Sequence, residues 1–249
     1  RVRQRIEVVW DWARARGYCD GENPARLKGA LGELLPKAQK VKRVVHHPAL
    51  PYQRVSQFVA DLRGVGGVGP LAFELLILTA ARTNEVTAAQ WDEFDLDNKV
   101  WTIPGERMKA GKEHRVPLTP RAAQIVLAMR GSGSPKYVFP GHSIAKGGHL
   151  SNGAFLAIVK RLPRDCEYTP HGFRSTFRDW ASETTGFANE TIELALAHVI
   201  ANKTEAAYRR QDQLEKRRKL MELWETYLST PNQTATVTAL TKAGAKRRA

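Results

Sequence analysis

The chain has 249 residues, 42% of them hydrophobic and 26% charged, which suits a folded, water-soluble protein with a sizeable core. It has no apolar run near the roughly 20 residues of a membrane span, no signal-peptide pattern and only two cysteines, Cys19 and Cys166, neither in a CxxC. Those features exclude membrane, disulfide-framework and zinc-ribbon classes and fit a cytoplasmic protein. The 39 Lys+Arg against 25 Asp+Glu leave a formal charge of +14, which favours a polyanionic partner. The surplus sits at the ends: residues 1–43 and 203–249 each hold 11 basic and 5 acidic side chains, while the residues between hold 17 and 15.

Taken in chain order, Val2, Ile6, Val9, Trp10 and Ala13 recur at helical spacing until Gly17, and a second, short helix is expected around Ala25–Leu35. These two elements give the first apolar stripe too little to pack on, so the chain is expected to begin inside a domain. Pro36–Pro51, rich in lysine and bounded by prolines, has the composition of a linker. Helices are predicted over Arg54–Leu62 and Leu71–Ala81, with the intervening GVGGVGP as a flexible turn; it lacks the GK[ST] ending of a phosphate loop. A short helix follows from Thr83.

The period then changes to two. Trp91–Leu96, Val100–Pro104 and His114–Leu118 are predicted as a three-stranded antiparallel meander, broken at Asp97-Asn98 and Ala110-Gly111. Helices resume over Arg121–Arg130, Asn152–Arg161, His171–Glu183, Thr191–Ala197, Lys203–Arg210 and Asp212–Leu228, with Thr119-Pro120 and Thr169-Pro170 as start signals. Residues 229–249 lack periodicity and are expected to form a disordered basic tail. The fold class is therefore mainly α with a small three-stranded antiparallel sheet.

Several residues could carry chemistry. His171 and Arg174 share one face at the expected start of a helix, where unpaired N–H groups favour an anion, although an HxxR pair also fits a solvated face. Arg82 emerges from the apolar run LLILTAA, where an unpaired guanidinium would be costly, with Glu85 its nearest partner. Lys109 precedes the Ala110-Gly111 tip, a place equally suited to reaching a groove or to solubility. His198 follows Leu196-Ala197, and Tyr208 stands between alanines and Arg209-Arg210 as a nucleophile, a packed ring or a base-stacking aromatic. Asp92, Glu93, Asp95 and Asp97 read as a solvated strand and turn. His46, His47, His142 and His149 lack zinc-site spacing.

Arg82, Lys109, His171-x-x-Arg174, His198 and Tyr208 together resemble, in identity, order and spacing, the signature of the tyrosine recombinase (phage integrase) family. The strings TAARTNEV, WTIPGERMKAGKEHRVPL, HGFRSTFRDWA and LAHVIANKTEAAYRR are similar to those of its prophage and genomic-island integrases. The resemblance implies a catalytic domain over residues 44–228, preceded in residues 1–43 by the end of a helical core-binding domain and its linker.

It also implies site-specific recombination, integrating or excising a prophage or genomic island through a 3′-phosphotyrosine, without metal, cofactor or ATP. Tyr208 would be the nucleophile, Arg82 and Arg174 would hold the non-bridging oxygens, and Lys109 would protonate the leaving 5′-oxygen. His171 would serve as base, and His198 would donate to the phosphate. The implied partners are double-stranded attachment-site DNA, a homo-tetramer on synapsed DNA with the stripe Leu220, Leu223, Trp224, Tyr227 of helix 212–228 as a contact, and an excisionase or DNA-bending accessory protein. The implied location is the bacterial cytoplasm, at the nucleoid. A type IB topoisomerase-like relaxing enzyme and a non-catalytic DNA-binding regulator are the alternatives.

Overall fold

The computed structural model describes residues 2–28, 30–35, 47–141, 148–162, 166–198 and 212–230. The chain forms two compact units, Arg1–His46 and His47–Ala249. In the first, α1 (Val2–Ala15) is followed by the short α2 (Ala30–Leu34). Asn23 ties the intervening loop back to α1 by donating to the Glu7 carbonyl at 2.8 Å and to Asp11 Oδ1 at 2.9 Å. Val2, Ile6 and Val9 of the predicted stripe are exposed.

The second unit is built around α4 (Val68–Thr79), hydrophobic on every side and buried from Ala72 onward. Around it stand α3 (Val55–Val65), α5 (Thr83–Thr87), α6 (Pro120–Ala128), α7 (Gly153–Arg161), α8 (Phe173–Thr184), α9 (Asn189–Ala195) and α10 (Leu214–Ser229). The expected flexible turn is shorter than the glycine run suggests. Gly66 and Gly67 adopt φ of 67° and 92°, and the helix already begins at Val68, with Pro70 in its first turn, where no hydrogen bond is lost. Glu74, 2% exposed within this helix, accepts from Arg63 Nε at 2.8 Å and from Arg121 Nε and Nη2, both at 2.8 Å, so α3, α4 and α6 share one buried carboxylate.

The sheet is antiparallel in the order β1 (Phe94–Asp95), β2 (Val100–Ile103), β3 (His114–Pro117), with Phe94 opposite Trp101 and Ile103 opposite His114. The first strand is shorter than expected, because Trp91–Glu93 is a 3-10 turn. That turn rotates Glu93 inward, where it accepts from Trp101 Nε1 at 2.9 Å and from the Arg107 guanidinium, so this carboxylate is buried and not part of a solvated face.

The α10 stripe also departs from expectation. Leu220, Met221, Trp224 and Leu228 are buried in the unit's own core, and Trp224 Nε1 donates to the Ile77 carbonyl of α4 at 2.9 Å. Leu223 alone of the four stripe residues is exposed, which leaves little apolar surface on this helix for a neighbouring protomer. Residues His47–Pro51, read above as linker, belong to this unit, and Leu50 is in its core. The predicted helix Lys203–Arg210, most of the linker and the tail beyond Thr230 lie outside the described residues. Among the described residues no helix is long and apolar enough to cross a membrane.

Candidate active site

Two helix ends create the site. α4 runs into Ala80 at φ 49°, and α9 is followed by Ala197 at φ 50°, both left-handed. The last carbonyls of a helix lack intrahelical partners and carry the negative end of its dipole, so cations gather there. Arg174, in the first turn of α8, donates Nη1 to the Ala80 carbonyl and Nη2 to the Leu196 carbonyl. Arg82, the N-cap of α5, donates Nη2 to the Ala197 carbonyl at 3.2 Å and Nη1 to Glu85 Oε1 at 2.8 Å, the partner expected from its spacing. Burial and then the Arg82 charge push the Arg174 pKa down to about 10, opposed by Glu85 and Glu193, so the group still carries its charge at neutral pH.

His198 continues the chain of contacts. Its Nε2 lies 3.2 Å from Arg174 Nη2, and its Nδ1 lies 2.5 Å from Glu193 Oε2. Glu193 accepts in addition from Arg178 Nε at 2.6 Å. Burial would raise the Glu193 pKa, but the hydrogen bonds from His198 and Arg178 outweigh it and hold the carboxyl below its usual range.

In front of these groups lies an open cleft of about 510 Å³ lined by Arg82, Lys109, Ala110, Glu193, Ala197 and His198. Lys109 is exposed on the connection between β2 and β3, which has about the expected length and contains a 3-10 turn, Gly105–Arg107. Arg107 anchors that connection by pairing with Glu93 and donating Nη2 to the Glu85 carbonyl at 2.6 Å, so the loop bearing Lys109 is fixed to the helix that follows Arg82.

His171 lies in a 3-10 turn, Pro170–Gly172, that leads into α8, instead of in the first α-helical turn. Thr169 caps the turn by accepting from the Gly172 N–H at 3.1 Å. A side chain at Gly172 would bring its Cβ to 2.1 Å from the Pro48 carbonyl oxygen, so only glycine permits this approach. The Pro48 carbonyl accepts from the Thr169 N–H at 3.0 Å, and the Leu50 carbonyl from Thr176 Oγ1 at 2.5 Å. The same segment brings the His47 ring edge-on to His171, 4.8 Å between centroids. Burial, then Arg174, His47, Arg82 and His198, hold His171 below the usual histidine range and favour the neutral imidazole that a general base requires.

Arg82, Lys109 and His198 thus line one cleft, Arg174 is bonded to His198 behind it, and His171 feels the charge of both arginines. Tyr208 and the pair His46 and His142 lie outside the described residues. Sequence reasoning passed over Glu193 and His114 and weighed His47 only as a zinc ligand. Glu193 stands in α9 five positions before His198, which follows that helix, a spacing that could have drawn notice. His114, on β3, is pushed down to about 3 by burial and then by Arg217, Arg82 and Arg174, with Asp212 opposing. Among the described residues no His, Cys, Asp and Glu cluster suited to a metal ion occurs. Such an array of fixed N–H donors suits the oxygens of a phosphoryl group.

The phage integrase family matches residues 67–215, more than half of the sequence. This chain belongs to that family. It is 30% identical to the integrase of Enterobacteria phage P4, over 92% of this chain and 54% of that protein. It is 31% identical to the prophage integrase IntA of Escherichia coli K12, over 90% and 52% respectively. The chain therefore spans about half the length of these curated relatives. In three dimensions it is similar to a lambda integrase dimer bound to a COC′ core site, with a TM-score of 0.54 and 16% identity over 81% of this chain and 71% of that one, a likeness of fold. Family membership accords with the mainly α catalytic fold and its small sheet.

Proposed function

We propose that the chain carries the catalytic part of a site-specific DNA recombinase that integrates or excises a prophage or genomic island, cleaving and rejoining duplex DNA through a 3′-phosphotyrosyl intermediate. The observation that carries the reading is the gathering of Arg82, Lys109 and His198 on one cleft with Arg174 bonded to His198 behind it. In this reading the Tyr208 hydroxyl oxygen attacks phosphorus, the P–O5′ bond breaks, and Tyr208 gives its proton to His171. Lys109 supplies a proton to the departing 5′-oxygen, and the two guanidiniums bear the charge on the non-bridging oxygens. The aryl phosphate conserves the broken bond, so resealing by a 5′-hydroxyl calls for no nucleotide.

Residues 1–43 would be the end of a helical DNA-binding domain, residues 44–228 the catalytic domain and residues 229–249 a basic tail. Duplex DNA and further copies of the chain, up to a tetramer on synapsed sites, are the proposed partners. The likeness to an integrase seen as a dimer on a core site supports both. An excisionase or DNA-bending protein and a place at the nucleoid complete the proposal.

The test is covalent capture. A pool of nicked duplexes of randomised sequence is incubated with the chain in excess EDTA, and denaturant-resistant protein–DNA adducts are isolated and mapped. The chain should form an adduct linked through Tyr208, and Tyr208→Phe should form none while retaining its affinity for the duplexes. Adducts that persist in the variant, linkage at Tyr227, or a strict need for a divalent ion would overturn the assignment. Plasmid relaxation without strand exchange would favour a topoisomerase.

A further inference from the structure

The Glu193 carboxylate is the acceptor at the back of the cleft that no recombination role given above uses. It is partly enclosed, its side chain 18% exposed, and it meets His198 Nδ1 at 2.5 Å through Oε2 and Arg178 Nε at 2.6 Å through Oε1. An ionised carboxylate only accepts, so His198 Nδ1 must carry the proton of that contact. Its other ring nitrogen, Nε2, faces Arg174 Nη2 at 3.2 Å, and a guanidinium only donates, so Nε2 is the acceptor there. Both contacts select one tautomer. The backbone reinforces the geometry: the His198 N–H donates to the Glu193 carbonyl at 3.0 Å, folding the chain back so that the two side chains meet.

We infer that Glu193 is a positioning residue of the active site: it fixes His198 as the Nδ1–H tautomer, so that Nε2 holds the Arg174 guanidinium toward the cleft. Arg178 in turn fixes the second carboxylate oxygen. The charged groups facing this pair are Arg174 and Arg178 of α8 together with Arg82 and Lys109 on the cleft wall. The imidazole is thus an acceptor toward Arg174 before any phosphate arrives.

The inference rests on the recombinase reading for its catalytic meaning, but the tautomer can be read without DNA. Nitrogen-15 chemical shifts of the His198 ring, in the free chain at a pH where the imidazole is neutral, should show Nδ1 protonated and Nε2 bare. In Glu193→Gln, whose amide can donate as well as accept, the Nε2–H tautomer should appear in a mixture, because only the Arg174 contact still selects Nδ1–H. An Nε2–H ring in the unsubstituted chain overturns the inference by itself, whether or not any variant folds, and so does a ring whose tautomer is the same with and without the carboxylate. In the capture assay Glu193→Gln should slow adduct formation by about 10- to 100-fold, as the loss of a partner behind a functional histidine does. An unchanged rate overturns the positioning role. If the unsubstituted chain binds the duplexes and forms no adduct while its His198 ring shows the expected tautomer, the recombinase reading fails and the Glu193–His198 pairing stands.

Discussion

At the scale of single residues, the site gathers several cations in a partly buried place, and its histidines show the effect. His114 is pushed down to about 3 by burial first, then by Arg217, Arg82 and Arg174. In the unfolded chain an imidazole takes up its proton near pH 6.5, so between about pH 6.5 and 3 the unfolded state binds more protons than the folded one. Stability must therefore fall as pH falls through that window. His171 contributes with the same sign. Buried carboxylates such as Glu74 add their loss mainly below their ordinary value of 4.5, so the interval from pH 6.5 to 5 belongs to the histidines. His114→Gln should flatten the fall of the urea midpoint over that interval, and an identical slope in the variant would contradict the assignment. These residues differ in how plainly the sequence declares them. Arg82 and His198 are charged or polar side chains at the ends of apolar runs, and Arg174 stands three positions after His171 at a helix start, patterns visible along the chain. His47 and His114 gain their meaning from partners on other elements, with no local pattern to announce them, and Glu193 offers only its spacing five positions before His198.

At the scale of elements, charged contacts lock the helices together where apolar packing alone would let them slide. Glu74 is the clearest case, one buried carboxylate on the central helix that receives guanidiniums from α3 and α6. Burial works against its charge, but Arg121 and Arg63 outweigh that effect and keep its pKa below the usual range, so its contribution is present above pH 4.5 and is lost in acid. Glu74→Gln leaves two guanidiniums without their counter-charge and should destabilise the second unit by about 3 kcal/mol, the low end for breaking a buried pair because both arginines reach solvent. Chemical denaturation at pH 7 checks this, and a variant within 0.5 kcal/mol of the parent, about the size of an ordinary surface change, would show the carboxylate to be dispensable. Element type was largely legible: the periodicity marks the helices and the meander. What it could not convey is which partner covers a stripe. The face of α10 is apolar at helical spacing whether it meets a neighbour or its own core, and the contact of Trp224 with Ile77 decides for the core. Glu93 shows the other limit, since strand alternation points it outward and a single 3-10 turn brings it in.

At the scale of the whole molecule, a formal charge of +14 on 249 residues gives long-range attraction to any polyanion. If the proposed DNA binding engages six or more phosphates, affinity for a duplex should drop by about 10³-fold or more between 50 and 200 mM salt. Fluorescence anisotropy with a labelled duplex measures this directly, and binding indifferent to salt would mean that the basic ends do not touch the backbone. The segment from Pro48 to Leu50 has a mechanical consequence. It is hydrogen-bonded to Thr169 and Thr176 and lies in backbone contact with Gly172, on either side of the turn that carries His171 and leads to Arg174 in α8. Tension arriving along the chain at His47 would be transmitted through the short bonds at Pro48 and Leu50 straight into that turn, with no slack loop to absorb it. The first part of the second unit to bear a load is therefore the part that holds His171 and Arg174.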